Sequence, residues 1–349
     1  MEGLHSNASS QDVVISQDGA CGVRAAVAPL RRMEHVLERS LSLEHGANVL
    51  PLLHVVLYYG IFGLLATPGL VTSLLLQVPL WVALLLLNYS LSIGIQHLHA
   101  HRKLFRSAVA NRVLEFLLCF PCLTSYPMMR YVHVYLHHKH EDGPSDPTST
   151  RGYEHGWRAV SYWLRYTVVA QRVAFRGILA KDASKTWRKL RVQYLVDTLG
   201  ALALGGAFLL ADPWRMFWVY EVPLILILMN IGFFSWLTHA PAFEGRINGS
   251  INTTNRWMNL LIHNQGYHSV HHRHPGIHWT ELPDRLKLMV DVDERLIVPY
   301  WVTLPNALRI LAPRYFHSSQ YGREWKRRYE AKASRGRHRL YWLPYFGWV

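Results

Sequence analysis

Residues 69–101 read GLVTSLLLQVPLWVALLLLNYSLSIGIQHLHAH. The first 28 of them, Gly69 to Gln96, contain no Lys, Arg, Asp or Glu, and the run then ends in two histidines four apart, His97 and His101. A helix over Leu70–His101 would be about 48 Å long at about 1.5 Å per residue, well beyond a hydrocarbon core of about 30 Å. Its last turns therefore project from a bilayer, with His97 and His101 on one helical face just above the membrane surface.

Three further blocks extend the pattern: Val49–Ala66, Gln193–Ala211 and Val222–His239 are long and almost free of charge. The expected fold is all-α and integral to a membrane, with four spans at about 49–68, 70–97, 193–211 and 216–239 paired as two hairpins. Buried helices of a soluble protein seldom lack charge over so many residues. The hairpin connections, Thr67–Gly69 and Asp212–Arg215, hold one of the 37 Lys and Arg, and the other 36 lie outside the hairpins. That bias predicts that both termini, the middle loop and the active site are cytoplasmic. The apolar run LEFLLCFPCL within Arg112–Met129 is too short for a fifth span, carries Glu115 and is broken by Pro121 and Pro127. It reads as an interfacial or re-entrant element.

Two more histidine clusters follow the first. RYVHVYLHHKHED holds His133, His137, His138 and His140, and HNQGYHSVHHRHPGIHW, His263–Trp279, has six histidines in 17 residues. His268, His271 and His272 stand at i, i+3 and i+4, so one helical turn presents all three on one face. His239 ends the fourth span at the same level as His97 and His101. Imidazole-rich ligation suits zinc, copper or iron rather than Mg²⁺ or Ca²⁺. About nine histidines are too many for one metal and enough for two. Glu141, Asp142 and Asp146 could orient imidazoles from behind, and the default reading for them is solvated loop charge.

HLHAH, HVYLHH and GYHSVHH resemble the three histidine boxes of the membrane-bound fatty acid desaturase superfamily, which also includes hydroxylases, ketolases and alkene-forming fatty acid decarboxylases. The likeness covers about residues 50 to 285. It implies a helical cap over the spans, O2 as co-substrate, and two iron ions (Fe2+/Fe3+) held by nine histidines: His97 and His101, then His133, His137 and His138, then His268, His271 and His272, with His239 added. It also implies a metal-side, water-bridged place for Asn264. Acyl-CoA desaturases of this group carry Asn four residues before the histidine that matches His239, and here Ser235 stands there. His99, His140, His263, His274 and His278 are left to support or surface roles. The implied reaction is oxidation of a fatty acid or acyl-thioester chain, with desaturation first and decarboxylation to a 1-alkene or hydroxylation as alternatives.

The remaining features are weaker. Met1–Ala28 is polar and lacks the apolar core of a signal peptide, and Pro29–His45 reads as an amphipathic interfacial helix, giving segments 1–48, 49–285 and a basic, aromatic 286–349. No cytochrome b5 domain is attached, so a ferredoxin, rubredoxin or cytochrome b5 is the expected electron donor. A net charge of +14 suits such a partner and the lipid bilayer alike. The spans argue against nucleic-acid binding. A metal transporter would need ligands in mid-membrane, where the blocks have almost none. Three cysteines cannot all pair, and Cys119 and Cys122 read as small apolar residues.

Overall fold

The four charge-free blocks become four long helices, and these set the architecture. The computed structural model describes residues 33–153, 156–180, 184–240, 250–289 and 292–299. The spans are α1 (Gly46–Ala66), α2 (Leu74–His101), α6 (Lys185–Ala211) and α7 (Pro213–His239). Between them run α3 (Ala108–Cys119), a helix we call α4 over 126–140, and α5 (Gly156–Ala180). After α7 come β1 (Asn252–Thr253), α8 (Arg256–Leu261), α9 (His268–Arg273), α10 (Leu282–Leu288) and β2 (Ile297–Val298). The two-residue strands pair in parallel, and the fold is otherwise all-α among the described residues.

Span ends differ from the sequence expectation where local chemistry overrides hydropathy. The second span begins at Leu74, because the chain from Thr67 turns through Gly69 at φ +81° and continues without helix to Ser73. The third begins at Lys185 rather than 193: the Ser184 hydroxyl accepts from Trp187 N at 3.5 Å, and a polar first third is helical all the same. The fourth begins at Pro213, where Asp212 caps Arg215 N at 3.1 Å. α3 has 12 residues, about 18 Å, too short to cross a membrane. It therefore returns the chain to the side it left, and the His97 and His133 rings meet at 4.2 Å between centroids.

Aromatic side chains hold the hairpins together away from the histidines. Tyr58 and Phe62 of α1, Leu84 and Leu91 of α2, Phe120 after α3 and Tyr220 of α7 are all buried in one cluster. α5 packs along α7, and α8 packs against α2. Gly232 lets α7 approach α5, since a Cβ there would lie 2.7 Å from Tyr166 Cβ and 2.8 Å from the Trp163 carbonyl. Gly94 does the same between α2 and residue 262, at 3.0 Å from Ile262 Cα. Of the Pro29–His45 helix, the described part is helical over 33–40. Residues 1–32 and 300–349, with the basic aromatic tail, lie outside the described residues.

Candidate metal centre

Local helix geometry brings the boxes into register. α2 widens into a π turn at Ser90–Ile95 just before His97, and α4 does so at Arg130–His137. In the wider i→i+5 turn, residues four and five apart overlie one another, so His133, His137 and His138 all face inward. α9 presents His268, His271 and His272 within its single turn and a half. His239 is the last residue of α7.

These nine imidazoles form two adjoining lobes. The ring nitrogens of His97, His101, His133, His138 and His271 lie within 4.8 Å of one another, and so do those of His137, His239 and His272. His268 completes the second lobe, its Nε2 at 3.0 Å from His239 Nε2 and 3.2 Å from His272 Nε2. In the first lobe, His97 and His271 approach at 2.7 Å and His138 lies 3.0 Å from both His133 and His271, always through Nε2. Lone-pair donors that converge this closely want a shared cation. His101 Nε2, buried and without a protein partner, is one more donor aimed at the first lobe.

Electrostatics keep these rings ready to ligate. Burial first, and then the neighbouring imidazoles, push His133, His268, His271 and His272 well below the ordinary histidine range. They are neutral, with free lone pairs. His137 goes the other way: burial opposes its proton, but the Asp146 hydrogen bond and charge, helped by Asp142 and Glu141, outweigh it. His137 Nδ1 donates to Asp146 Oδ2 at 2.7 Å, and His239 Nδ1 lies 3.1 Å from Asp142 Oδ2. His272 Nδ1 is 3.9 Å from Glu141 Oε1. Asp142 and Asp146 are buried, which corrects the solvated-loop reading for both, and hydrogen-bonded imidazoles hold them below the usual carboxylate range despite their burial. A carboxylate on Nδ1 fixes the tautomer that leaves Nε2 free for a metal. An all-imidazole donor set backed in this way fits a pair of borderline transition-metal ions.

A pocket between α2, α4, α5 and α7, with about 470 Å³ of free space that is partly open to solvent, touches both lobes. Its walls include Ile93, Met129, Ile231 and Phe234 beside His97, His133, His137, His239 and His268. The Ser235 hydroxyl is at this wall too, 3.1 Å from the Tyr162 hydroxyl, which donates to Thr148 O at 2.6 Å. The fatty acid desaturase family profile matches residues 73–304, two-thirds of the chain and all three boxes. The chain belongs to the fatty acid desaturase family. A β-carotene ketolase from Paracoccus sp. (strain PC1) is 33% identical over 103 residues, which are 28% of this chain and 40% of that relative. The chain thus spans less than half the length of the relative it matches. No solved structure matches it. Its four long apolar helices are long enough to cross a membrane, as in a multi-pass member of this family.

Other polar residues that the boxes left over are buried in this desaturase-family fold. His99 faces away from the metal lobes, with Nε2 3.3 Å from Glu115 Oε1. His263 lies 3.4 Å from Ser90 Oγ, which is 2.8 Å from His54 Nδ1. His278 bonds Asn48 Oδ1 at 3.0 Å and stacks on His45. Asn264 is buried and donates to Trp279 O at 3.0 Å, a contact that ties down the loop before α9. Its neighbour Gln265 is fully buried with neither amide atom partnered by a protein group, in a second cavity that touches His101 and His271. Cys119 and Cys122 are buried free thiols, and neither joins a lobe.

Proposed function

We propose that this protein oxidises an aliphatic C–H bond of a fatty acid or fatty acyl thioester, with two irons held by the nine imidazoles and O2 as co-substrate, and that desaturation is its reaction. The observation that carries the reading is the pair of imidazole lobes, five and four, facing an apolar cavity between the spans. Irons held there would activate O2, the oxidant that attack on an unactivated C–H bond requires. The chain's own residues do the rest. Ile93, Met129, Ile231 and Phe234 bind an apolar chain, exclude water and hold one carbon pair beside the imidazoles. Asp142 and Asp146 orient His239 and His137 from behind.

A ferredoxin, rubredoxin or cytochrome b5 delivers electrons to the basic face, and both termini and the centre face the cytoplasm. Oxygen insertion is the second reading, which the ketolase likeness supports. Loss of CO2 with formation of a terminal alkene is a third outcome of the same hydrogen removal, and Ser235 at the cavity wall, where acyl-CoA desaturases carry Asn, leaves it in the test. The test is expression in a host fed defined fatty acids, with lipids and headspace gas read by mass spectrometry. Internal double bonds support desaturation, hydroxy or keto products move the assignment to oxygenation, and volatile 1-alkenes move it to decarboxylation. No new product from any of several chain lengths, with the protein intact in membranes and a donor supplied, contradicts the reading.

A further inference from the structure

The second lobe has one imidazole fewer than the first, and the three carboxylates of the turn after α4 all stand behind it. Asp146 Oδ2 accepts from His137 Nδ1, Asp142 Oδ2 meets His239 Nδ1, and Glu141 lies behind His272. No such partner serves the first lobe: among the described residues, none of His97, His101, His133, His138 and His271 is ion-paired to a carboxylate, and His138 Nδ1 has no partner at all. The charged group against that lobe is a cation, Arg130, whose Nη1 donates to Ala100 O beside His101.

The turn is built to hold these anions where they are. Glu141 and Asp142 adopt left-handed backbone, φ +34° and +59°, an arrangement that side chains other than glycine rarely take without compensation. Compensation comes from the carboxylates themselves. Asp146 Oδ2 also accepts from Asp142 N at 3.0 Å, and its Oδ1 accepts from Thr148 N and Oγ1 at 2.8 and 2.7 Å. Asp142 Oδ1 accepts from Thr150 N at 2.9 Å. Each aspartate thus ties an imidazole to the loop.

We propose that Asp142 and Asp146 are positioning residues that retain the metal of the four-imidazole lobe in particular, their charge compensating for the fifth imidazole that lobe lacks. The inference rests on the two-metal reading above. A carboxylate that accepts Nδ1–H makes the opposite Nε2 a stronger donor, and its charge favours the cation through the ring. The two metal positions are therefore unequal, one held by ligand number and the other by anions behind its ligands.

The full chain, purified in detergent and loaded with ⁵⁷Fe, tests this by iron content and Mössbauer spectra. Wild type is expected to hold two irons with two distinguishable signals. The double variant Asp142→Asn/Asp146→Asn binds one of them about 10- to 100-fold more weakly and loses that signal alone. Asp142→Glu/Asp146→Glu, which keeps the charge, restores it at least in part, whereas a role confined to holding the loop gives no such selective loss. His101→Ala removes the other signal. If the double variant does not fold, the single Asn variants are read in the same way. Two irons held by the double variant with wild-type affinity, or both lost in parallel, overturn the proposal and leave the di-iron reading standing. A folded wild type that binds no metal overturns both.

Discussion

Glu115→Ala gives the sharpest test of how the first box is held. Glu115 is 6% exposed and lies beneath the last turn of α2, where Oε1 meets His99 Nε2 and the Lys103 ammonium while Oε2 accepts from Gln193 of α6. Burial alone would raise its carboxyl, but the hydrogen bonds from His99 and Lys103 overcome that and bring it from 4.5 down to about 2. At about 1.4 kcal/mol per tenfold, that difference is worth about 3 kcal/mol of stability at neutral pH. Removing the carboxylate leaves His99 and Gln193 as buried donors without a partner, and breaking a buried pair of this kind costs about 3–5 kcal/mol. Lys103 is 35% exposed and can rehydrate, which favours the lower end. The expectation for Glu115→Ala is therefore about 3 kcal/mol, roughly a hundredfold in the unfolding equilibrium.

The sign with pH follows from the same numbers. A carboxyl depressed in the folded state contributes its full stability above about 4.5 and loses it as pH falls towards about 2. Wild type should weaken through that window more steeply than the alanine variant. The assay is denaturant unfolding in detergent micelles at pH 7 and at steps below pH 5, followed by tryptophan fluorescence. A variant within about 1 kcal/mol of wild type at pH 7, or one with the same acid profile, refutes the argument that this carboxylate anchors the first box.

Three other outcomes are expected. Alanine at His97, His239 or His271 abolishes product in the feeding assay while the protein remains in the membrane fraction, because each removes a donor from a lobe; retained turnover in any of them counts against the site. Gly232→Val forces a side chain against Tyr166 Cβ and the Trp163 carbonyl, and should cost about 1–3 kcal/mol or more in the same unfolding assay; a neutral effect contradicts the close approach of α5 and α7. Gln265→Leu replaces an unpartnered buried amide with an apolar group of similar size, so stability should hold or rise by about 1 kcal/mol, while turnover falls because the amide lines the cavity beside His101 and His271; a large stability loss contradicts the first half, unchanged kcat the second.

What the sequence made legible was whatever depends on spacing along one element. Charge-free length marks all four spans, and the i, i+3, i+4 pattern at His268, His271 and His272 defines one face of α9. Other features depend on partners far along the chain. Hydropathy is blind to the polar residues 185–192, which are helical because Ser184 caps them and α6 continues. The 25-residue helix α5 leaves as weak a hydropathy signal: Arg158, Arg165, Arg172 and Arg176 interrupt its apolar residues, although Ala170, Ala174 and Ile178 are buried against α4. Asp142 and Asp146 sit in a stretch that reads as polar loop, and nothing local tells that they face His239 and His137. The π turns in α2 and α4 have no signal in composition at all, yet they set which way the first two boxes point. His99, His263 and His278 looked like surplus histidines and prove to be buried parts of the scaffold.

The most direct test of the central claim is X-ray absorption at the iron edge on the purified, iron-loaded full chain, with iron counted on the same sample. The account predicts about two irons per chain, a first coordination sphere dominated by imidazole nitrogen, and loss of iron when His97 and His239 are both replaced by alanine. A folded protein that binds no iron, or one whose iron survives that double replacement with its spectrum unchanged, contradicts it.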